Sequence, residues 1–128
     1  MTRINCIPPQ ELTSKHLLAE YRELPRIIKL AKAAQARGEV RAHKRTDKYT
    51  LGEGHLKFFY NKLFWCHKRW KALAKELQER NYNLDKELMK EIDNSFKSAP
   101  VKTYGDWHAP ITAMNLNRRK LKEKINVV

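Results

Sequence analysis

Leu56, Phe59, Tyr60, Leu63, His67, Trp70, Leu73 and Leu77 recur at helical spacing through the middle of the chain. That spacing brings an apolar side chain back to one face of an α-helix at every turn, whereas a strand would scatter the same residues over both faces. The segment therefore predicts a long amphipathic helix from Gly54 to about Asn81. A helix greasy on one side only must bury that side against other elements, so the remainder of the chain has to supply partners.

Those partners have the same period. After a start that Pro8 and Pro9 hold extended, Thr13 or Ser14 can cap a helix in which Leu17, Tyr21, Leu24 and Ile28 share a face, running to about Gln35. Pro25 lies inside it, and because proline lacks an amide donor and crowds the carbonyl four residues back, the helix should bend or open there. Around Gly38 it gives way to a polar stretch, GEVRAHKRTDKYTLGEG, with no sustained apolar period. Leu84 to Phe96 predicts a shorter helix, capped by Asp85 and ended before Pro100. KTYGDWHAP reads as loop. A final helix places Ile111, Met114, Leu121 and Ile125 on one face and Arg119, Lys120 and Lys122 on the other. No strand-like alternation occurs, so the expected fold class is all-α: one compact domain over residues 1–128, with about three principal helices and long basic loops.

Charge narrows the function. Lys and Arg number 27 against 14 Asp and Glu, a formal balance of +13. Such an excess favours a polyanion, either nucleic acid or an anionic membrane, through steering and counterion release. No run approaches the roughly 18 apolar residues of a membrane span, and MTRINCIPPQ lacks the apolar core of a secretion signal. Cys6 and Cys66 are the only cysteines, with no CxxC pairing, which suits a reduced protein inside the cell. His16, His43, His55, His67 and His108 form no recognisable ligand spacing, so no metal site is expected, and no phosphate-binding or dinucleotide fingerprint appears.

Two features carry chemistry. Glu23 stands in Tyr21-Arg22-Glu23-Leu24-Pro25-Arg26, an acid flanked by two arginines at a proline break. On spacing alone this reads as an ordinary surface ion pair, yet it is also how an acid would be placed beside a phosphate backbone, since arginine grips phosphate with two hydrogen bonds. At the N-terminus, Met1 precedes the small residue Thr2, an arrangement that methionine aminopeptidase trims. Trimming would expose a threonyl α-amine, which titrates near 7.7–8.0 against about 10.4 for lysine and so supplies neutral nucleophile at cellular pH.

Taken in order, MTRIN at the start, HLLAEYRELPR from His16 to Arg26, LGEGHLKFFYNKL from Leu51 to Leu63 and KLKEKI from Lys120 to Ile125 resemble the pyrimidine-dimer DNA glycosylases, the phage endonuclease V family. The resemblance spans nearly the whole chain. It implies a DNA-repair enzyme that cuts the N-glycosidic bond at a cyclobutane dimer in duplex DNA and then breaks the strand by β-elimination, with no cofactor. By the same resemblance the Thr2 amine forms an imine with the sugar, and Glu23 is the catalytic carboxylate. Arg3, His16, Arg22, Arg26, Lys120 and Lys124 hold DNA phosphates, and the protein works as a monomer that bends the duplex and extrudes a base opposite the lesion. The basic connection from Lys29 to Lys48, with seven positive and two negative residues, would scan undamaged DNA. The sequence departs from the phage pattern at Lys15, where the phage protein has an amide, and at Lys120, where it has arginine. The aromatic tail beyond the last helix also has no counterpart after Asn126-Val127-Val128. Two other functions fit the same residues: the same chemistry on a different damaged base, and a noncatalytic basic DNA-binding protein.

Overall fold

The computed structural model describes residues 4–38, 49 and 55–126, with the side chains of Lys102 and of residues 124–126 outside that description. Every regular element among the described residues is helical, as expected. The helices are α1 (Ser14–Glu23), α2 (Arg26–Ala36), α3 (His55–Phe58), α4 (Leu63–Glu79), α5 (Lys86–Lys97) and α6 (Ile111–Asn126), with short 3-10 turns at Pro9–Glu11 and Val101–Thr103. Six helical segments stand where the sequence spacing laid out four, because two of the four are broken, one by a residue within it and one by a residue far along the chain.

The first break is at Pro25. Thr13 caps α1, its hydroxyl accepting from the His16 amide, and α1 ends at Glu23 because Pro25 has no N–H to give the Tyr21 carbonyl. Pro25 instead starts α2, with φ −59° already suited to a helix. The second break was not expected. The run from Gly54 to Asn81 is interrupted at residues 59–62, where the chain leaves α3 and begins α4 anew. The backbone of Gly105 plugs the gap: its N–H donates to the Asn61 carbonyl at 3.1 Å, and its carbonyl accepts from the Phe64 and Trp65 amides at 3.1 and 3.2 Å. The otherwise uncapped start of α4 is satisfied this way. Only glycine permits the approach, since a Cβ on residue 105 would sit 2.4 Å from the Asn61 oxygen.

Helix α4 packs antiparallel along α1, as two contacts at opposite ends fix: Arg69 reaches Glu20, and Arg80 reaches Ser14. Between them Tyr21 stacks on Trp70 with centroids 5.9 Å apart. Leu17, Leu24, Ile27, Leu63, Leu73 and Leu77 are fully buried around this contact, each contributing about 1.5–3 kcal/mol by removal from water. Asp85 caps α5 by accepting from the Glu87 and Leu88 amides, as its position predicts, and Phe96 of α5 stacks on His67 at 4.7 Å. Leu88 is exposed, leaving Met89, Ile92 and Phe96 as the inward side of α5.

Helix α6 turns Leu121 and Met114 inward and Arg119, Lys120 and Lys122 outward as expected, but Ile111 leaves the inward face. Ile111 is 64% exposed, and the inward stripe is Ala113, Asn117 and Leu121. Asn117 must face inward because it is hydrogen-bonded to the N-terminal segment, and a buried polar group with partners outweighs the exposure of one isoleucine. Of the basic connection, residues 29–36 belong to α2, Gly38 ends that helix with φ +73°, and residues 39–48 lie outside the described residues. Tyr49 is the exception to its polar surroundings. It is buried among His55, Phe58, Phe59 and Trp107, with ring centroids 5.6–6.0 Å away.

Candidate active site

The α1–α2 break carries three of the expected residues on adjoining turns. Glu23, the last residue of α1, is one-third exposed, and its carboxylate lies 3.8 Å from the guanidinium of Arg26, which is 67% exposed at the start of α2. Arg22 is exposed beside them. This is a loose, solvated pair whose guanidinium remains largely available to a phosphate. His16, half-buried, lies two turns earlier on the same stripe of α1, seven residues from Glu23.

Lys120 is not brought to this turn by a direct contact. It is exposed on α6 and pairs with Glu123 of its own helix at 3.5 Å. Lys124 lies in the last turns of α6, its side chain outside the described residues, as are Thr2 and Arg3 entirely.

Residues 4–7 are held by a network of side chains that sequence reasoning missed. Ile4 donates its N–H to Nε2 of His55 at 2.8 Å and accepts the Tyr49 hydroxyl on its carbonyl at 3.1 Å. Asn5 donates to Oε1 of Glu20 at 2.7 Å and accepts from Nδ2 of Asn117 at 2.7 Å. The Cys6 amide donates to Oδ1 of Asn117 at 2.8 Å, and Arg69 donates to the Ile7 carbonyl. Arg69 also grips Glu20 through Nε at 2.8 Å and Nη2 at 3.1 Å, with the two side chains 6% and 1% exposed. A bidentate pair with a further hydrogen bond from Asn5 to the carboxylate is the arrangement in which a buried ion pair tolerates loss of water.

The direction of travel follows from these contacts. Arg80, near the end of α4, donates to Ser14 and lies close to the Pro9 and Gln10 carbonyls, whereas Arg69 and Glu20 meet Ile7 and Asn5. Going back from Gln10 to Asn5, the chain therefore runs along α1 from its start towards Glu20, one turn short of Glu23. Glu20, Asn5, His55 and Tyr49 all stand inside or beside the motif blocks, where a buried acid four residues from His16 and an asparagine in MTRIN were the available signals.

Neither thiol competes as a nucleophile. Burial pushes Cys6 up to about 11, with the Tyr49 hydroxyl and Arg69 only partly offsetting it, and burial raises the fully enclosed Cys66 further still. A cleft of about 380 Å³ opens between Pro8, Trp65, Lys68, Trp107, His108 and Met114, and none of the expected site residues lines it. Among the described residues no three His, Cys, Asp or Glu side chains cluster as a metal site would need, and no helix is long and apolar enough to cross a membrane.

The exposed Arg-Glu-Arg turn and the pinned N-terminal segment occur within one stretch that matches a known family. The family model for pyrimidine dimer DNA glycosylase covers residues 1–90, taking in the N-terminal segment, α1 to α4 and the start of α5; the chain belongs to the pyrimidine dimer DNA glycosylase family.

Proposed function

We propose that this DNA glycosylase acts as a single-domain monomer, with the α-amine of Thr2, freed by loss of Met1, as its nucleophile and with an associated abasic-site lyase activity. The amine lone pair attacks C1′ of the damaged nucleotide. The N-glycosidic bond breaks, and the base leaves with the bonding pair and takes up a proton. The sugar ring then opens, its oxygen is protonated, and an imine to C1′ remains. Removal of a C2′ proton expels the 3′ phosphate by β-elimination, and water then hydrolyses the imine and returns the amine. Glu23 steadies the cationic sugar, assists ring opening and carries the C2′ proton. Arg3, His16, Arg22, Arg26, Lys120 and Lys124 hold the backbone phosphates.

The observation that carries this reading is the pinning of Ile4 and Asn5 beside α1. Thr2 is two residues from a fully buried Ile4, so its amine stays within about 7 Å of that anchor. The segment is also heading along α1 towards the turn that carries Glu23.

Borohydride trapping on duplexes bearing either one cyclobutane thymine dimer or one abasic site tests it, with the adduct located by mass spectrometry. An adduct at Thr2 on both is expected. Trapping on the abasic site alone would keep the lyase chemistry and point to a different damaged base. No adduct on either, with the amine verified free, would sink the imine mechanism and favour binding without catalysis. Glu23→Gln should lower cleavage by roughly 10²–10⁴-fold while leaving duplex affinity largely intact.

A further inference from the structure

We propose that His55 and Tyr49 are positioning residues for the N-terminal nucleophile, acting through the Ile4 backbone. This rests on the reading that the Thr2 amine forms the imine.

Residue 4 belongs to no helix, so its N–H and C=O have no partners from regular structure and must be satisfied otherwise or pay for burial. Both are taken by side chains from one place: His55 Nε2 accepts the N–H at 2.8 Å, and the Tyr49 hydroxyl donates to the carbonyl at 3.1 Å. Accepting an amide proton requires a lone pair on Nε2, so this nitrogen carries no proton in the folded state. The two rings cannot swing away. They meet edge to face at 5.6 Å, Phe59 stands edge-on to His55 at 5.6 Å, and Trp107 stacks on Tyr49 at 5.7 Å. The clamp is thus a rigid aromatic wall presenting one acceptor and one donor to one residue.

Its position sets its importance. Asn5, Cys6 and Ile7 are held by the Glu20–Arg69–Asn117 group, so losing the clamp would not release the whole segment. It would leave Ile4 held by the burial of its side chain alone, and where that yields, the last fixed point moves from Ile4 to Asn5. The tether to the amine then lengthens from about 7 Å to about 10.5 Å. The volume the amine can sweep grows as the cube of that length, roughly threefold, and its concentration at the sugar falls by the same factor before any loss of orientation is counted. A rate effect of about threefold to tenfold on imine formation is therefore expected, with none on phosphate contacts.

The test is single-turnover borohydride trapping at saturating enzyme on an abasic-site duplex, well below the unfolding temperature. It is run beside duplex Kd and hydrogen exchange of the Ile4 amide. His55→Ala should trap about tenfold more slowly with unchanged Kd and faster Ile4 exchange. His55→Gln, whose amide oxygen can accept the same N–H, should recover most of the rate. Tyr49→Phe, which removes one oxygen from an otherwise intact ring cluster, should trap about threefold more slowly, and it decides the matter if His55→Ala does not fold. Folded variants with accelerated Ile4 exchange but wild-type trapping rates would overturn the positioning role, as would slowing matched by an equal loss of affinity. Acetylating the wild-type α-amine separates the two ideas: if the acetylated enzyme still cleaves, the nucleophile assignment itself falls, whatever the variants do.

Discussion

From Ile4 to Ile7 every residue gives a polar group to a side chain from elsewhere in the fold, while from Arg22 to Arg26 the charged groups face solvent and meet only across a 3.8 Å pair. The first region is built as protein interior is built, with donors matched to acceptors and no freedom left over. The second keeps its charges uncommitted, so a phosphate can replace the internal partner at little cost. The contrast suits a reaction in which the nucleophile must be held in place and the substrate's backbone must be admitted.

The sharpest break between the two should come from their acids, which stand one turn apart on α1. Glu20→Ala strands the Arg69 guanidinium in the interior and should cost about 3–5 kcal/mol, read from the urea midpoint. Glu23→Ala, removing a partly exposed carboxylate, should cost under about 1 kcal/mol while abolishing cleavage. Equal stability losses would show that the two regions are not built differently. Next in size is Asn117→Ala. It leaves the Cys6 N–H and the Asn5 side-chain oxygen Oδ1 without partners, at roughly 1–3 kcal/mol for each buried group. The loss should be felt mainly in stability, because Ile4 keeps its own clamp.

How far such a division could be read in the sequence depended on where each determinant lies. Pro25, the Asp85 cap and the apolar periods act on their own helices, and those helices appear where the spacing put them. The family blocks pointed to Glu23 and its arginines for the same reason, since they are contiguous. The break at residues 59–62 depends on Gly105, more than forty residues away, and no local period reveals it. Tyr49 sits in a basic polar stretch and is buried only because His55, Phe58 and Trp107 converge on it. Ile111 was placed inward by period alone, whereas Asn117 sets the rotation of α6 through partners at the opposite end of the chain.

Acid should also weaken the molecule at a third place, away from both regions. His67 is buried against Phe96, donates from Nε2 to Asp93 at 2.6 Å and accepts the Tyr104 hydroxyl at Nδ1, 2.9 Å away. Burial holds its pKa below the usual 6.5, outweighing the hydrogen bond to Asp93 that pulls it upward. The unfolded chain therefore binds this proton more tightly than the folded one. Stability should be complete above about pH 6.5 and fall as pH drops from there towards the lowered value. Asp93 adds a second loss at lower pH, since Lys97 and then His67 hold its carboxyl below the ordinary range. Urea midpoints for wild type and His67→Asn across pH 5 to 7 check this: the slope in that window should flatten in the variant.

The smallest effect on stability is expected at Arg26, and it tells most about what the exposed region is for. With 67% of its side chain in solvent and only a 3.8 Å pair to Glu23, Arg26→Ala should change stability by less than about 0.5 kcal/mol. If the guanidinium is instead kept for phosphate, affinity for duplex should fall whatever its sequence, and the slope of log K against log salt should lessen by about one. Both follow from a single phosphate contact that releases a single counterion. A variant with wild-type affinity and salt slope would remove Arg26 from the interface and return it to the role of an ordinary surface partner of Glu23. A variant that lost stability as well would mean the pair is tighter than its geometry and solvation allow.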